Sequence, residues 1–432
     1  MRGLHFLCTD YPRLKTFRSF LQLVHPELES FTCCGLRPND PIWQERRLVI
    51  TQNEFPRLRH LVLQGIAFRV TRPLPTLTHL ILSQITLPRL HIRVARLLCS
   101  CPSLENVVLS RLFQPDDPDA TPPQPLLPHL RRVVLHDLVS RSLRFYLSLT
   151  ALCGDEVGLQ ILNVTANHGT FAFEPVVSER VQEDPVMLGI GTCTVPAGFG
   201  EHTLVSLTVA SPVSAVRIAS TPELIGMSHY RTPGTWVERV LPARERLAGV
   251  QEVWIVNASP RDSGSVHTTE FDGHLREVVG KLPALQTVVL STMAGGEYVL
   301  RPPRLSFLPS IIDDPSFNSP DLKTLRLVQC SSSSTGLSQA DDVPDDQVPR
   351  RMDFSGMLTE LASSAYCYLE RLVVQIVPGI VVEESDVEQL REYFSTVVVE
   401  RILEPPRMPL PQCCVEVDEG PGGSCTWTRS PC

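Results

Sequence analysis

The chain has 432 residues, a net charge of −8, 43% hydrophobic residues and only 6% aromatic ones. A mildly acidic balance offers no electrostatic footprint for phosphates, so nucleic acid is excluded as an expected partner. No apolar stretch approaches a membrane span, and Met1 to Asp10 lacks the apolar length and cleavage site of a signal peptide. A cytoplasmic or nuclear protein without a membrane partner is expected.

Read in chain order, one phrase recurs: Pro-x-Leu-x-x-Leu-x-Leu, with aliphatic substitutions. Partial versions come first, at Pro12-Arg-Leu14-Lys-Thr-Phe17 and Pro26-Glu-Leu28-Glu-Ser-Phe31. Full copies follow at Pro56-Arg-Leu58-Arg-His-Leu61-Val-Leu63 and Pro75-Thr-Leu77-Thr-His-Leu80-Ile-Leu82. Pro102-Ser-Leu104-Glu-Asn-Val107-Val-Leu109 and Pro128-His-Leu130-Arg-Arg-Val133-Val-Leu135 continue the series. Copies without the proline are read at Leu159-Leu162-Val164, Leu204-Leu207-Val209, Val250-Val253-Ile255 and Leu369-Leu372-Val374. Two more with proline begin at Pro283 and Pro320. The last two apolar positions of each copy lie two residues apart, which puts them on one face of a short strand. Proline two residues before the first Leu fits a turn that enters the strand without losing a ladder N–H.

Helical periodicity fills several gaps between copies. Leu90, Val94, Leu97 and Leu98 form one stripe, with others at Leu143, Leu147 and Leu152 and at Leu275, Val278, Val279 and Leu282. The segments Met357 to Leu361 and Val387 to Tyr393 carry the same period. Alternating strand and helix predicts an α/β leucine-rich-repeat solenoid over residues 1–403, a horseshoe with a parallel sheet on its concave face and helices on its convex face. The first apolar positions at 58, 77, 104, 130 and 159 lie 19, 27, 26 and 29 residues apart, whereas later copies are 35 to 47 apart and need insertions or an extra hairpin. Residues 114–128, rich in proline, read as a loop excluded from the body, and 331–350, with a serine run and four aspartates, as a disordered insertion. Residues 404–432 read as a disordered tail.

Motifs that would carry chemistry are missing or incomplete. Asp262-Ser-Gly264-Ser265 resembles an aspartic protease signature, but it has no second copy and no apolar strand before it, so it reads as a turn. Gly189-Ile-Gly191-Thr-Cys-Thr194 begins like a dinucleotide loop, yet Thr194 stands where the third glycine belongs. The 13 cysteines show no C-x-x-C and no zinc spacing, and Cys99, Cys330 and Cys367 read as small hydrophobes within the repeats. No enzyme, cofactor or metal is expected.

The third and fifth positions of each copy are expected on the concave surface. In the first four copies they are His60 and Val62, His79 and Ile81, Asn106 and Val108, and Arg132 and Val134. Ile161 with Asn163 and Glu252 with Trp254 follow. The apolar fifth position forms a strip, and Trp254 is the residue type most often dominant in interfaces, so a protein partner is expected here. Val62, Ile81, Val108 and Val134 are expected to face solvent.

Phe55-Pro-Arg-Leu-Arg-His-Leu-Val-Leu63 and Leu127-Pro-His-Leu-Arg-Arg-Val-Val-Leu135 resemble the repeats of fungal F-box/leucine-rich-repeat proteins, and the resemblance covers most of residues 11–375. It implies a substrate-recognition scaffold for a cullin-type ubiquitin ligase. The alternative is a leucine-rich-repeat adaptor or structural protein with no ligase link. The first residues hold no Leu-Pro-Pro-Glu-like F-box opening. Phe6-Leu-Cys8 before Pro12-Arg-Leu14 echoes Leu97-Leu98-Cys99 before Pro102-Ser-Leu104, the end of a convex helix followed by a strand. The chain is therefore expected to start inside a repeat, and a Skp-type adaptor is a partner only if an F-box lies upstream.

Overall fold

In the computed structural model, the residues described are 2–8, 26–35, 48–114, 127–150, 156–163, 185–197, 200–220, 241, 244–257, 266–294, 299–302, 305–312, 321–331, 350–404, 406 and 408–414. Among them, the apolar phrases become strands of one α/β sheet, for the reason the spacing implies. In the strand His60–Gln64, Leu61 and Leu63 are buried and His60, Val62 and Gln64 are half-buried. His79–Ser83 repeats the alternation. One side of every strand is aliphatic and packs on a core; the other side forms what is here termed the outer face.

The sheet holds fifteen strands among the described residues and is mostly parallel. In chain order it begins with β1 (Gly3–Cys8) and β2 (Ser30–Gly35). A separate small parallel pair is made by β3 (Leu48–Ile50) and β5 (Phe68–Val70), which flank β4 (His60–Gln64). Next in the large sheet come β6 (His79–Ser83), β7 (Asn106–Ser110), β8 (Arg132–His136) and β9 (Gly158–Leu162). A hairpin segment follows: β10 (Met187–Ala197), β11 (Gly200–Ala210) and β12 (Ala215–Ser220). Beyond it are β13 (Glu252–Asn257) and β14 (Thr287–Ala294), then β16 (Thr324–Ser331), β18 (Arg371–Ile376) and β20 (Thr396–Arg401). The short strands β15 (Val299–Leu300), β17 (Arg350–Met352) and β19 (Ile380–Val381) pair with one another in a third sheet.

Helices occupy the longer connections: α1 (Leu90–Cys99), α2 (Ser140–Thr150), α3 (Val266–Gly280), α4 (Ser355–Leu361) and α5 (Glu384–Leu390). The link from β4 to β6 is too short for a helix crossover and uses β5 instead. Where the link is longer, as from β6 to β7 or from β8 to β9, α1 and α2 appear. Leu90, Val94, Leu97 and Leu98 of α1, with Leu143 and Tyr146 of α2, join the same buried cluster as the strands. The core is thus the layer between the sheet and its helices.

Register makes the layer continuous. Leu61 pairs with Leu80, Leu80 with Val107, and Val107 with Val133, so these side chains form one column, as the phrase predicts. Every member is at most 3% exposed. Each of these strands also leaves the sheet the same way. Gly65, Gln84, Arg111, Asp137 and Asn163, the residues just after β4, β6, β7, β8 and β9, all have φ between 50° and 65°. The left-handed turn keeps the N–H in the ladder: Gln84 donates to the Ser110 carbonyl and Arg111 to that of His136, each at 3.0 Å. A non-glycine residue in this region costs up to a few kcal/mol, so four such residues in equivalent places mark a constraint of the stacking.

Several expectations from the sequence need correction. The Phe6-Leu-Cys8 segment is not the end of a helix; it lies in β1, parallel to β2, where Leu4 and Phe6 pack against the core. Alternation over Gly3–Cys8 outweighed the echo of a later helix. At the copy read as Leu159-Leu162-Val164, Leu159 pairs with Val133 and Ile161 with Leu135. The core positions are therefore Leu159 and Ile161, and Ile161 does not face outward; Leu162 and Val164 offer a competing alternation beside Leu159 and Ile161, and the ladder selects one. The copy read at Leu204-Leu207-Val209 is β11, antiparallel to both neighbours, so the second-half insertion includes a hairpin and not a further parallel copy. Cys99 and Cys367 are exposed, whereas Cys33 and Cys101 are buried. The partial copy at Pro12, residues 115–126, residues 332–349 and the Asp262 turn lie outside the described residues.

His91 is the polar exception in the helix layer. Only 2% exposed, it sits on α1 with Nε2 3.0 Å from the Ser142 hydroxyl and its ring stacked 4.7 Å from Phe145. Burial lowers its pKa from 6.5 to about 4, so the ring is neutral in the fold.

Two predictions follow from this packing. Leu80→Ala removes a fully buried member of the column and is expected to cost about 2–5 kcal/mol. Its neighbour Ile81→Ala, on the outer face, is expected to cost less than about 1.5 kcal/mol; equal losses in chemical denaturation would contradict the alternation. The second concerns acid. Because the folded pKa of His91 is below the unfolded value, the unfolded chain binds a proton that the fold refuses, and stability is lost as pH falls from 6.5 towards about 4. Melts of His91→Leu between pH 7 and 5 should show a shallower loss than wild type.

Candidate functional site

The outer face of β4, β6 and β7 carries the residues singled out in the sequence. Val62, Ile81 and Val108 are cross-strand neighbours and form an apolar strip, all three half-buried. On one side of it runs the row His60, His79, Asn106 and Arg132, and on the other Gln64, Ser83, Ser110 and His136. An apolar centre between polar rows is the layout of a small protein-binding patch.

The polar rows are tied together. His60 and His79 meet edge to face, with ring centres 4.5 Å apart. Thr78 donates its hydroxyl to the Arg59 carbonyl at 3.1 Å, so it accepts from Nδ1 of His79 at 2.9 Å. Nε2 of His79 then accepts from the Asn106 amide at 2.8 Å. This chain requires a neutral imidazole of defined tautomer. On the other side, His136 contacts the Ser110 hydroxyl at 3.1 Å, the Asn163 amide at 3.3 Å and Asp137 at 3.3 Å. Burial lowers the His136 pKa, Asp137 pulls it back and Arg111 adds to the drop.

Ser110, His136 and Asp137 together have the residue types of a hydrolytic triad, but the surroundings do not serve that chemistry. Ser110 is only 7% exposed, and Asp137 is held by Arg111 at 2.8 Å. The backbone N–H of Arg111 is spent on the His136 carbonyl, so it cannot serve an oxyanion. What the cluster does is fix side-chain directions along the strip. Among the described residues no group of three or more His, Cys, Asp or Glu is placed to hold a metal ion.

Of the nine residues expected to face a partner, His60, Val62, His79, Ile81, Asn106, Val108 and Arg132 share this partly open surface. Val134 and Trp254 do not. Val134, in register with Val108, is 1% exposed, and its next neighbour Gln160 is 2% exposed. The open strip therefore ends at Val108. Trp254 is 3% exposed and lies several strands away, in a cluster with Val289 and Val328 on which Ile402 and Met408 pack. Its indole N–H donates to Glu252.

The segment following β20, read from the sequence as part of a disordered tail, is seated on the sheet over its described part. Cys414 is fully buried and Cys413 is 8% exposed; both pack with Ala210 and Ala215, beside Met408 and Leu410. The Cys413 thiol donates to the Val213 carbonyl at 3.3 Å. Composition obscured this contact, since proline spacing hides the alternation of Ile402, Met408 and Leu410. Its counterpart was visible as a run of small outer-face residues, Gly189, Gly191, Ala210 and Ala215, too small to fill an open face. Residues 415–432 lie outside the described residues.

No family model matches the sequence, and no curated protein matches it. Among the described residues no helix is long and apolar enough to cross a membrane.

The difference between Val108 and Val134 can be measured. Val62→Ser, Ile81→Ser and Val108→Ser together should cost less than about 1 kcal/mol. Val134→Ser alone should cost about 1–3 kcal/mol, because it places a hydroxyl in a dry site. Similar costs for the two proteins in denaturant titration would show that the strip is covered throughout.

Proposed function

We propose that this protein is a leucine-rich-repeat solenoid that acts as a protein-binding scaffold in the cytoplasm or nucleus, without enzymatic activity or cofactor. Its partner surface is the outer face of β4, β6 and β7. The observation that carries the reading is the strip Val62, Ile81 and Val108, held between tied polar rows. Equivalent strand exits at Gly65, Gln84, Arg111, Asp137 and Asn163 support the repeat, as do the aliphatic columns in register. On the resemblance to fungal F-box/leucine-rich-repeat proteins, the partner is a substrate presented for ubiquitin ligation. The alternative is an adaptor with no ligase link.

A photo-crosslinking residue at position 81 should capture a partner in cells, and the identified protein should then bind purified chain at one to one. Val62→Ser, Ile81→Ser and Val108→Ser together should weaken that binding by about 30-fold or more, equivalent to roughly 2 kcal/mol. Unchanged affinity in the triple variant would place the partner elsewhere. Residues 1–432 alone are expected not to bind a Skp-type adaptor, because the repeats do not supply an F-box surface. A stable complex with that adaptor would overturn this part.

A further inference from the structure

The covered half of the outer face differs from the open strip in having an occupant that can be named. After β20, the chain first continues the ladder: the Ile402 N–H donates to the Ile376 carbonyl of β18 at 2.9 Å. It then runs across the strands towards β12, where Cys413 meets Val213 and Ala215. From β20 to β11, whose Ala210 meets the cysteines, the sheet order gives six inter-strand steps, about 29 Å at about 4.8 Å each. The eleven residue-to-residue steps from Ile402 to Cys413 span about 34 Å in a polyproline-like conformation at about 3.1 Å per residue. The crossing therefore requires a largely extended chain up to Pro411, where Gln412–Cys414 make a single 3-10 turn, and Pro406, Pro409 and Pro411 favour extension.

Side chains alternate accordingly. Ile402, Met408 and Leu410 are half-buried against the sheet, while Leu403 is 90% exposed. The seat is shaped for Met408: a Cβ placed on Gly189 would lie 2.7 Å from its Sδ. Trp254, Val289 and Val328 form the apolar floor on one side, and Ala210 and Ala215 the shallow floor on the other.

We propose that the outer face of β10 to β16 is a groove for an extended, proline-interrupted apolar peptide, and that residues 402–414 are its intramolecular occupant. An outside segment of the same chemistry enters only by displacing them. Proline lowers the entropy lost on ordering, so such a segment binds with little cost of pre-organisation. A tethered occupant acts at an effective concentration on the order of millimolar. Against a peptide of about 10 μM affinity it suppresses binding roughly 100-fold. The inference concerns strands distinct from the partner strip and stands whether or not that strip binds a protein.

The test uses the full chain and a labelled synthetic peptide of residues 402–414 with its thiols kept reduced. Met408→Asp places a charge in the apolar seat and should release the resident segment while leaving the groove intact. Gly189→Val fills the seat and should release the segment while closing the groove. Alkylation of Cys413 and Cys414 is followed by mass spectrometry against the exposed Cys99 and Cys367 of the same molecule. Hydrogen bonding with Cys413 and burial raise the Cys414 pKa, so Cys414 should react slowly in wild type. Both variants should react at least about tenfold faster at the pair. The peptide should bind Met408→Asp, measured by fluorescence anisotropy, but neither wild type nor Gly189→Val. Unchanged protection in Met408→Asp, or failure of the peptide to bind it, would overturn the proposal. So would equal binding to Gly189→Val. Loss of the cooperative melting transition in Met408→Asp and in the milder Leu410→Ser alike would show the segment to be fixed core and would also overturn it.

Discussion

Everything in this structure depends on one register constraint: alternate residues of each strand must meet the same residues of the next. Leu61, Leu80, Val107 and Val133 satisfy it in one column, and Leu63, Leu82, Leu109 and Leu135 in a second. A slip by one residue would turn every aliphatic side chain of a strand outward and every polar one into the core. Each such side chain is worth about 1.5–3 kcal/mol when buried, and a slip forfeits two or more at once. The left-handed residues after the strands serve the same end, because they turn the chain towards the helix layer without surrendering a ladder hydrogen bond.

Once the core side is fixed, the outer face is fixed too, and its composition decides how each stretch is used. Between β4 and β7 the outer residues are histidine, asparagine and serine around a valine and isoleucine strip. His79 pairs with Asn106 and Ser110 with His136, so part of the polar rim is satisfied within the face itself. Between β10 and β16 it combines glycine, alanine, tryptophan and valine with the polar Ser206, Thr208, Arg217 and Arg326. Open to water, a surface of that kind would be an association hazard. Ile402, Met408, Leu410, Cys413 and Cys414 of the same chain pack over it. The two stretches are thus two solutions to one problem, a long sheet with a second face that no helix layer protects.

The antiparallel segment β10 to β12 forms one end of the covered stretch, separated from the open strip by β8 and β9. It adds a hairpin between β9 and β13 and keeps the aliphatic columns intact, since Ile161 pairs with Ile218, and Ile190 with Leu207 and Ile255. Three strands reverse direction twice, so β12 and β10 at the two edges of the segment both lie parallel to their outside neighbours β9 and β13. The core therefore runs through it without interruption.

The sequence by itself determined the strands with the Pro-x-Leu-x-x-Leu-x-Leu phrase, which side of those strands is buried, and the helix stripes at Leu90 and Leu275. These are local properties: period two and period 3.6 are written in neighbouring residues. Tertiary structure alone decided the phase at Leu159, where Leu162 and Val164 offer a second alternation and pairing with β8 and β12 selects Leu159 and Ile161. It also decided the direction of β11, because alternation looks the same read either way along a strand. Burial of Val134 and Trp254 belongs to this class. A side chain on the outer face is exposed or covered according to what lies over it, and over Trp254 that is a segment about 150 residues further along the chain, whose pairing with a distant groove no local period records.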